Sequence, residues 1–276
     1  MSLRYYSQQQ QRKMSMNHLP IIAPTETEHF FDSSALLFAD ISSVDVPHQI
    51  NTHWHPQGQL IYASSGRLNV TTSGSVVMVP SQFAIWIPPC IKHSVTANTP
   101  VDYCSLFVDP VASKDLPQHS QLLHITTLFK ELTRTAACKE YGNVDGAVSR
   151  LNSVIFDQLQ QLRPARVALP LPSMQRLQKL VSHYMNNPAD KVDLTYWSRQ
   201  LSMGSRTLTR TFRQETGMSI SLWLQHLKVL KAIELLELGE TVKYAAYEVG
   251  YQQPSAFIAM FKRVTGQTPV EYLSGQ

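Results

Sequence analysis

Between about residues 33 and 109, apolar and polar side chains alternate in short runs separated by turn residues. The segment "GQLIYASSGRLNVTTSGSVVMVPSQFAIWIPP" (58–89) shows this best, with Ser-Gly and Pro-Ser pairs breaking the alternation. A period of two puts Leu68 and Val70 on one face of their strand, and Ala84 and Trp86 on one face of another. Several such strands at close spacing predict a small sandwich or barrel. Beyond Asp109 the period lengthens toward 3.6. In "AVSRLNSVIFDQLQQL" (147–162), Val148, Leu151, Ile155, Leu159 and Leu162 form one helical stripe. That stripe packs on the sheets, or joins a second copy of the chain, and the two can coexist.

A change of character follows at "RPARVALPLPS" (163–173), where prolines 164, 170 and 172 exclude helix interior and central strand and predict a stiff, extended linker. Everything after it reads as helix. Ser173 is the expected N-cap of "MQRLQKLVSHYMNN", whose apolar face is Leu177, Leu180, Val181 and Tyr184, and Asp193 is the expected cap of the next helix. The pattern predicts an α+β protein of two domains. A disordered or extended lead-in covers 1–32, a sheet-rich domain with flanking helices 33–163, the linker 164–172, and an all-α domain 173–276. The lead-in "MSLRYYSQQQQRKMSMN" has no apolar core of the kind a secretory signal needs.

The helical half repeats itself. "TLTRTFRQETGMSISLWL" (207–224) aligns on "AFIAMFKRVTGQTPVEYL" (256–273) at an offset of 49. Leu208 meets Phe257, Phe212 meets Phe261, Gly217 meets Gly266, and Trp223 meets Tyr272. Upstream, at an offset one shorter, Ser198 meets Ala246 where two helices must cross closely. Each unit reads as helix, tight turn, helix and a glycine-closed end, with "HLKVLKAIELLELGE" joining the two. In the first unit the face opposite the apolar anchors carries Arg206, Thr209, Arg210 and Arg213. A major groove about 12 Å wide admits one helix, and arginine bonds guanine bidentately. Two such helices on one rigid module would enter successive groove segments roughly 10 base pairs apart.

Charge supports the division. From Ser173 onward there are 12 Lys+Arg against 8 Asp+Glu, whereas the first 172 residues balance at 12 and 12 and hold eight of the ten histidines. The basic half is the one suited to polyanions. Apolar residues at 43 % and charged ones at 16 % indicate a globular chain. No apolar run approaches the ~20 residues of a membrane span. Three cysteines, an odd number, suit a reducing cytoplasm better than a disulfide framework.

Residues from about 190 to 273 resemble the AraC/XylS family of transcription regulators. The resemblance rests on Ser198, "LSMGSRTLTRTFRQETG", "VGYQQPSAFIAMFKRVTGQTPVEYL" and the closing Gly266, Pro269 and Tyr272. It implies that Arg206, Thr209 and Arg210 read bases, and that the corresponding region of the second unit is Pro254, Ser255, Ile258 and Ala259. Many relatives place arginine where Ala259 stands, and others after the tryptophan, where this chain has Leu224, His226 and Leu227 and keeps only Lys228. Gln253 and Ser255 remain as hydrogen-bonders and Ile258 as a contact for a thymine methyl. Sequence readout is therefore expected mainly from the first unit.

In the other half, "HWHPQGQLIYASSG" (53–66) resembles the first cupin motif, H-x-H-x(3)-E-x(6)-G, at His53, His55, Gln59 and Gly66. Pro88, Cys90 and His93 follow the second motif, with Cys90 in place of glycine and Ala97 in place of asparagine. The likeness spans about residues 35 to 109 and implies a cupin-like β-barrel with a small-molecule cavity. The readings open here are a metal-dependent catalytic site, a metal-assisted sensing pocket on His53, His55 and His93, a metal-free pocket, and histidines satisfied inside the barrel. Gln59, neutral where a carboxylate ligand is usual, weighs against catalysis. The candidate effector set is His53, His55, Gln59, His93 and Trp86, with Trp86 read first as barrel packing and second as a ligand-stacking platform. Cys90 reads as a small residue on a bend ahead of a thiol sensor.

Together these features predict a cytoplasmic, ligand-responsive transcription factor rather than an enzyme. Its expected partners are double-stranded DNA, a small-molecule effector, RNA polymerase and a second copy of itself; no membrane is involved. No cofactor is required, with a divalent metal as the exception if the histidines bind one. The alternative is a metal-dependent cupin enzyme or metal sensor fused to a DNA-binding domain.

Overall fold

The computed structural model describes residues 35–44, 48–72, 75–97, 99–138 and 146–274, so the expected lead-in over 1–32 lies outside the described residues. Ten strands run in order as β1 (Leu37–Val44), β2 (His48–His53), β3 (Gly58–Ser65), β4 (Arg67–Thr72), β5 (Ser75–Pro80), β6 (Phe83–Ile87), β7 (His93–Ala97), β8 (Val101–Val108), β9 (Gln121–His124) and β10 (Leu169–Leu171). They form two five-stranded antiparallel sheets, β1-β8-β3-β6-β9 and β10-β5-β4-β7-β2. The period of two places Ile61, Ala63, Leu68, Val70, Ile85, Ile87 and Val95 in one buried cluster shared by both sheets. Gly66 makes the β3–β4 turn possible: its φ is +74°, and a Cβ there would stand 2.7 Å from the Pro100 carbonyl oxygen.

The opposite face of the first sheet carries Leu60, Tyr62, Ala84, Trp86 and Leu106, and it is covered by helices α1 (Thr127–Ala137) and α2 (Gly146–Gln161) through Phe129, Ile155 and Leu159. Leu151 and Leu162 pack half-buried on the same cluster, and Val148 is half-buried too. The 148–162 stripe is thus engaged within its own domain. Asn152, on the same helix, donates its side-chain amide to the Leu37 carbonyl at 3.2 Å.

Three expectations change. The barrel is two facing sheets rather than a closed ring, since β1 and β9 in one sheet, and β10 and β2 in the other, pair on one side only. The stretch beyond Asp109 is not wholly helical: Gln121–His124 adds a fifth strand beside β6, with His124 opposite Phe83. The proline-rich stretch is extended as predicted, yet it is built into the sandwich. Ala165 N–H donates to Leu122 O at 2.8 Å, and Leu169–Leu171 pairs with β5 as an edge strand, where proline's missing N–H costs nothing.

Helix α3 (Gln175–Asn186) buries Leu177, Leu180, Val181 and Tyr184, the predicted face. Its start is displaced: Met174 is the N-cap, and Ser173 instead donates through its backbone N–H (2.9 Å) and hydroxyl (2.6 Å) to the Glu215 carboxylate. Then come α4 (Leu194–Gln200), α5 (Ser205–Thr216), α6 (Ile220–Glu237), α7 (Val242–Glu248), α8 (Pro254–Thr265) and α9 (Pro269–Ser274). Asp193 caps α4 as predicted, accepting from Tyr196 N–H at 2.9 Å.

The two halves interlock at β10. From α6, Trp223 Nε1–H donates to the Pro170 carbonyl at 2.7 Å and His226 Nδ1–H to Ala168 O at 2.9 Å. Burial lowers the His226 pKa, with its backbone bond to Ala168 opposing. A folded pKa below the unfolded value of about 6.5 gives stability that is complete above that value and lost as pH falls toward the lowered one. The urea unfolding midpoint should therefore drop between about pH 7.5 and 5.5, and drop less in His226→Gln, which carries no titrating ring.

Candidate nucleic-acid interface and histidine pocket

The sequence repeat is a repeat of backbone geometry. In the first unit Met203 N–H donates to Ser198 O at 2.9 Å, and in the second Tyr251 N–H donates to Ala246 O at 2.9 Å. Ser202 (φ 50°) and Gly250 (φ 83°) hold the matching left-handed turn positions. Both recognition helices end on a left-handed glycine, Gly217 on α5 and Gly266 on α8. In each, a buried threonine one residue earlier bonds back to the carbonyl of the apolar anchor: Thr216 to Phe212, Thr265 to Phe261. Leu208, Phe212, Phe257 and Phe261 are all fully buried. Helix α6 spans the two units and fixes them relative to each other.

On α5, Arg206, Arg210 and Arg213 are exposed, and none belongs to an ion pair among the described residues. Thr209 is half-buried, and its hydroxyl turns back onto Ser205 O (3.0 Å) and Arg206 O (3.1 Å), so its donor is already engaged. On α8 the equivalents of Arg206 and Arg210 are Ser255 and Ala259, both exposed. Gln253, the α8 N-cap residue, is exposed without a side-chain capping bond, while Ile258 is half-buried against the core. Lys228 departs from expectation. It is half-buried, its ammonium lies 5.3 Å from the Tyr251 ring centroid, and burial lowers its pKa against the opposing charge of Asp190. The missing arginines also have a reason: Leu224, His226 and Leu227 are buried, and the His226 ring is bonded to the chain ahead of β10.

In the other domain the cupin-like motif brings its residues together. His53 ends β2 opposite His93 at the start of β7, the two being register partners. His55 lies in the connection before β3, tied to the Pro88–Cys90 bend by Cys90 N–H donating to its carbonyl at 2.9 Å. Cys90 sits there at φ 62°, a conformation the glycine of the cupin motif would adopt freely and a cysteine holds under strain. Ring centroids are 4.3 Å apart for His53–His93, 5.2 Å for His55–His93 and 5.9 Å for His53–His55. One nitrogen from each ring lies within 4.8 Å of the others.

The hydrogen bonds orient these rings alike. Each Nδ1 meets a backbone carbonyl two residues away: His53 with Asn51 and His93 with Ile91 at 2.8 Å, His55 with Gln57 at 2.9 Å. A neutral imidazole donating from Nδ1 leaves a lone pair on Nε2. Burial lowers the pKa of His55 and takes that of His93 down to about 3, so both rings are neutral at pH 7. His93 is 1 % exposed, and its Nε2 has no hydrogen-bond partner among the described residues. Gln59 is buried beside His55, its Oε1 3.2 Å from His55 Nε2, while its Nε2 donates to Ser105 Oγ at 3.2 Å. A half-turn of the amide would aim its NH₂ at the ring instead, so Gln59 can serve as donor or as neutral oxygen ligand.

Trp86 leaves this set. It is fully buried on the face of the first sheet that meets the helices, away from the Gln59 side, and its Nε1–H donates to Pro117 O at 2.7 Å. A Cβ on Gly58 would come within 2.2 Å of its ring. Ser105 joins the site instead. It comes from β8, 46 residues from Gln59, and no motif marks it; only the strand pairing brings it near.

Residues 44–181 match the family described as AraC-like ligand binding domain, and residues 197–275 one described as helix-turn-helix domain. The HTH-type transcriptional regulator NimR of Escherichia coli (strain K12) is 36 % identical over 225 residues, covering 80 % of this chain and 81 % of that protein. RipA of Corynebacterium diphtheriae, also an HTH-type transcriptional regulator, is 27 % identical over 224 residues, which are 80 % of this chain and 59 % of RipA. Among solved structures, ToxT from Vibrio cholerae superposes with a TM-score of 0.38 at 13 % identity, over 86 % of this chain and 98 % of that one. No helix among the described residues is long and apolar enough to cross a membrane. Paired helix-turn-helix units joined to a ligand-binding domain of this type place the chain in the AraC family of DNA-binding transcriptional regulators.

Proposed function

We propose that the protein acts in the cytoplasm as an effector-responsive regulator, without enzymatic activity, and reads its operator chiefly through α5. The observation that carries this is the contrast between Arg206 and Arg210, exposed and in no ion pair among the described residues, and their equivalents Ser255 and Ala259. Gln253, Ser255 and Ile258 on α8 add weaker base contacts and fix the second unit on the duplex. A small effector held by His53, His55, Gln59 and His93 favours one arrangement of the sandwich and α6, which changes operator occupancy and access for RNA polymerase. The effector does this only by binding the two arrangements unequally. Anisotropy titration of labelled operator, with and without a metabolite that raises the protein's melting temperature, tests it. Operator affinity unmoved by every such metabolite contradicts the sensor role.

A divalent metal is the second reading of the pocket. It is favoured by the Nε2 of His93, which has no hydrogen-bond partner among the described residues, and by three Nδ1 atoms already engaged with carbonyls, which leaves Nε2 for a ligand. His53, His55 and His93 would hold the ion, with Gln59 as a weak neutral fourth group; a bound ion would supply a Lewis-acidic point for an effector oxygen. Gln59→Glu adds a charged ligand and should tighten Zn²⁺ or Ni²⁺ binding by at least about tenfold, roughly 1.4 kcal/mol, measured by calorimetry. Equal affinity in both proteins removes the metal reading and leaves the pocket to an organic effector. Dimerisation rests on a separate feature, the exposed Leu128 and Val154 of α1 and α2, and sedimentation as a monomer at micromolar concentration removes it.

A further inference from the structure

One stretch of chain, residues 163–174, holds the far ends of both recognition helices. It runs along the edge of the sandwich, with His124 N–H donating to Arg163 O at 2.9 Å and Ala165 N–H to Leu122 O at 2.8 Å. Farther on it becomes β10 and pairs with β5. Beyond β10, Ser173 meets α5: its hydroxyl (2.6 Å) and N–H (2.9 Å), with Met174 N–H (3.2 Å), all donate to one oxygen of Glu215. Ahead of β10, Arg166 meets α8, where a Cβ on Gly266 would collide with its guanidinium.

The two ties sit at the same end of the repeat but differ in chemistry. Glu215 lies in the last turn of α5, just before Gly217, and its equivalent on α8 is Val264, half-buried against the core. Gly217 has open space where a Cβ would stand, whereas its equivalent Gly266 is covered by Arg166. A cation there faces the negative end of the α8 dipole. Arg166 is exposed, and no salt bridge among the described residues holds it in place. Helix-turn-helix units read bases with the N-terminal part of the second helix. A grip on the C-terminal end therefore leaves the reading face free and sets the angle at which it enters the groove.

We propose that Arg166 and Ser173 are positioning residues for DNA recognition, Arg166 seating α8 and Ser173 seating α5 through Glu215. Neither touches DNA. Each fixes the angle of one recognition helix from the end remote from the duplex, and the sheet edge that carries both fixes the two angles together. A movement of β9 or β10 in the sandwich therefore reaches both helices along one strap. Both roles rest on α5 and α8 entering successive groove segments. Loss of a seat lowers discrimination between right and wrong base pairs in one segment, because a misaligned side chain bonds both poorly.

The test uses the full chain and the DNA upstream of its own gene. Hydroxyl-radical footprinting of the wild type should show two protected stretches roughly 10 base pairs apart. Each base pair in them is then substituted, and fluorescence anisotropy gives the loss of affinity. The stretch whose losses shrink in Arg206→Ala belongs to α5. Glu215→Ala should cut discrimination in that stretch about threefold or more and leave the other within about 1.5-fold. Arg166→Ala should do the reverse, by about twofold or more. Ser173→Ala, which removes only the hydroxyl bond, should act as Glu215→Ala does, with a smaller cut. Ser173 and Arg166 are both exposed, so these two variants keep the fold. Glu215→Gln keeps an oxygen acceptor and Arg166→Lys a cation, so both should restore wild-type discrimination to within about 1.5-fold. A general loss of stability weakens binding to every duplex alike and leaves these ratios unmoved. Equal cuts in both stretches, unchanged ratios in all three alanine variants, or conservative variants that restore nothing would each overturn the positioning roles. A single protected stretch in the wild type overturns them together with the two-groove reading.

Discussion

Replacing Arg206 with alanine is expected to lower operator affinity by roughly 5- to 150-fold at fixed salt, the equivalent of ~1–3 kcal/mol for a lost bidentate base contact. Arg210→Ala should fall in the same range. Both side chains are exposed at the start and middle of α5, on the face opposite Leu208 and Phe212, with no ion pair among the described residues to break before they reach a base. Ser255→Ala, the same position in the second unit, should cost less than about fivefold, since one neutral hydrogen bond is worth about 1 kcal/mol. Arg213 should behave differently again if it meets phosphate. Its loss would weaken specific and scrambled duplexes alike and reduce the salt slope by about one. Fluorescence anisotropy on matched duplexes measures all four. Equal losses for Arg206→Ala and Ser255→Ala would contradict the division of labour between the units.

The largest effect on stability is expected at Trp223. Its ring is fully buried, 5.9 Å from Phe212 by centroid, and its Nε1–H is donated to Pro170 of the strand that joins the domains. Trp223→Ala should lose ~3–5 kcal/mol, the usual cost of removing a buried aromatic side chain. Trp223→Phe separates packing from coupling. It keeps an aromatic ring beside Phe212 but strands the Pro170 carbonyl, so about 1 kcal/mol should go, with the helical domain still folded. Urea unfolding reads the first effect. Limited proteolysis of residues 163–172 reads the second, where faster cleavage is expected because β10 is no longer held from above. Unchanged cleavage in Trp223→Phe would show that the Pro170 bond does not couple the halves.

The helix-turn-helix repeat was legible because its constraints are local. Anchors at Leu208/Phe212 and Phe257/Phe261, left-handed glycines at 217 and 266, and a small residue at each crossing recur at a nearly constant offset, and the structure reproduces them bond for bond. Strand faces were legible for the same reason, since alternation alone separates Ile61 from Leu60 and Ile85 from Trp86. Alternation does not tell which face meets the other sheet and which meets helices, and so it identifies Trp86 as a packing residue but not as one that faces away from the pocket. Nor does it set closure, which depends on how far strands pair around the edge; hence two sheets instead of a barrel. The prolines at 164–172 gave extension but could not reveal pairing with β5, because edge pairing depends on a partner about 90 residues away in the chain.

The same limit governed the sites. His53, His55 and His93 were found by spacing, as motif residues, but Ser105 reaches Gln59 only through the β3–β8 register. Ser173 looked like a helix cap until Glu215, 42 residues on, offered it a carboxylate. Leu224 and Leu227 looked like lost DNA contacts and are instead part of the buried core that α6 shares with the sandwich. Each miss is a long-range contact overriding a sound local preference.

The most direct test of the regulator reading is binding of the full chain to the DNA immediately upstream of its own gene, titrated across about 50–400 mM KCl beside a scrambled duplex of equal length. The predicted result is preference for the upstream DNA by about 10³-fold or more, with log K falling linearly against log salt at a slope of about −5 or steeper. Equal affinity for the scrambled duplex, or affinity that ignores salt, would contradict it.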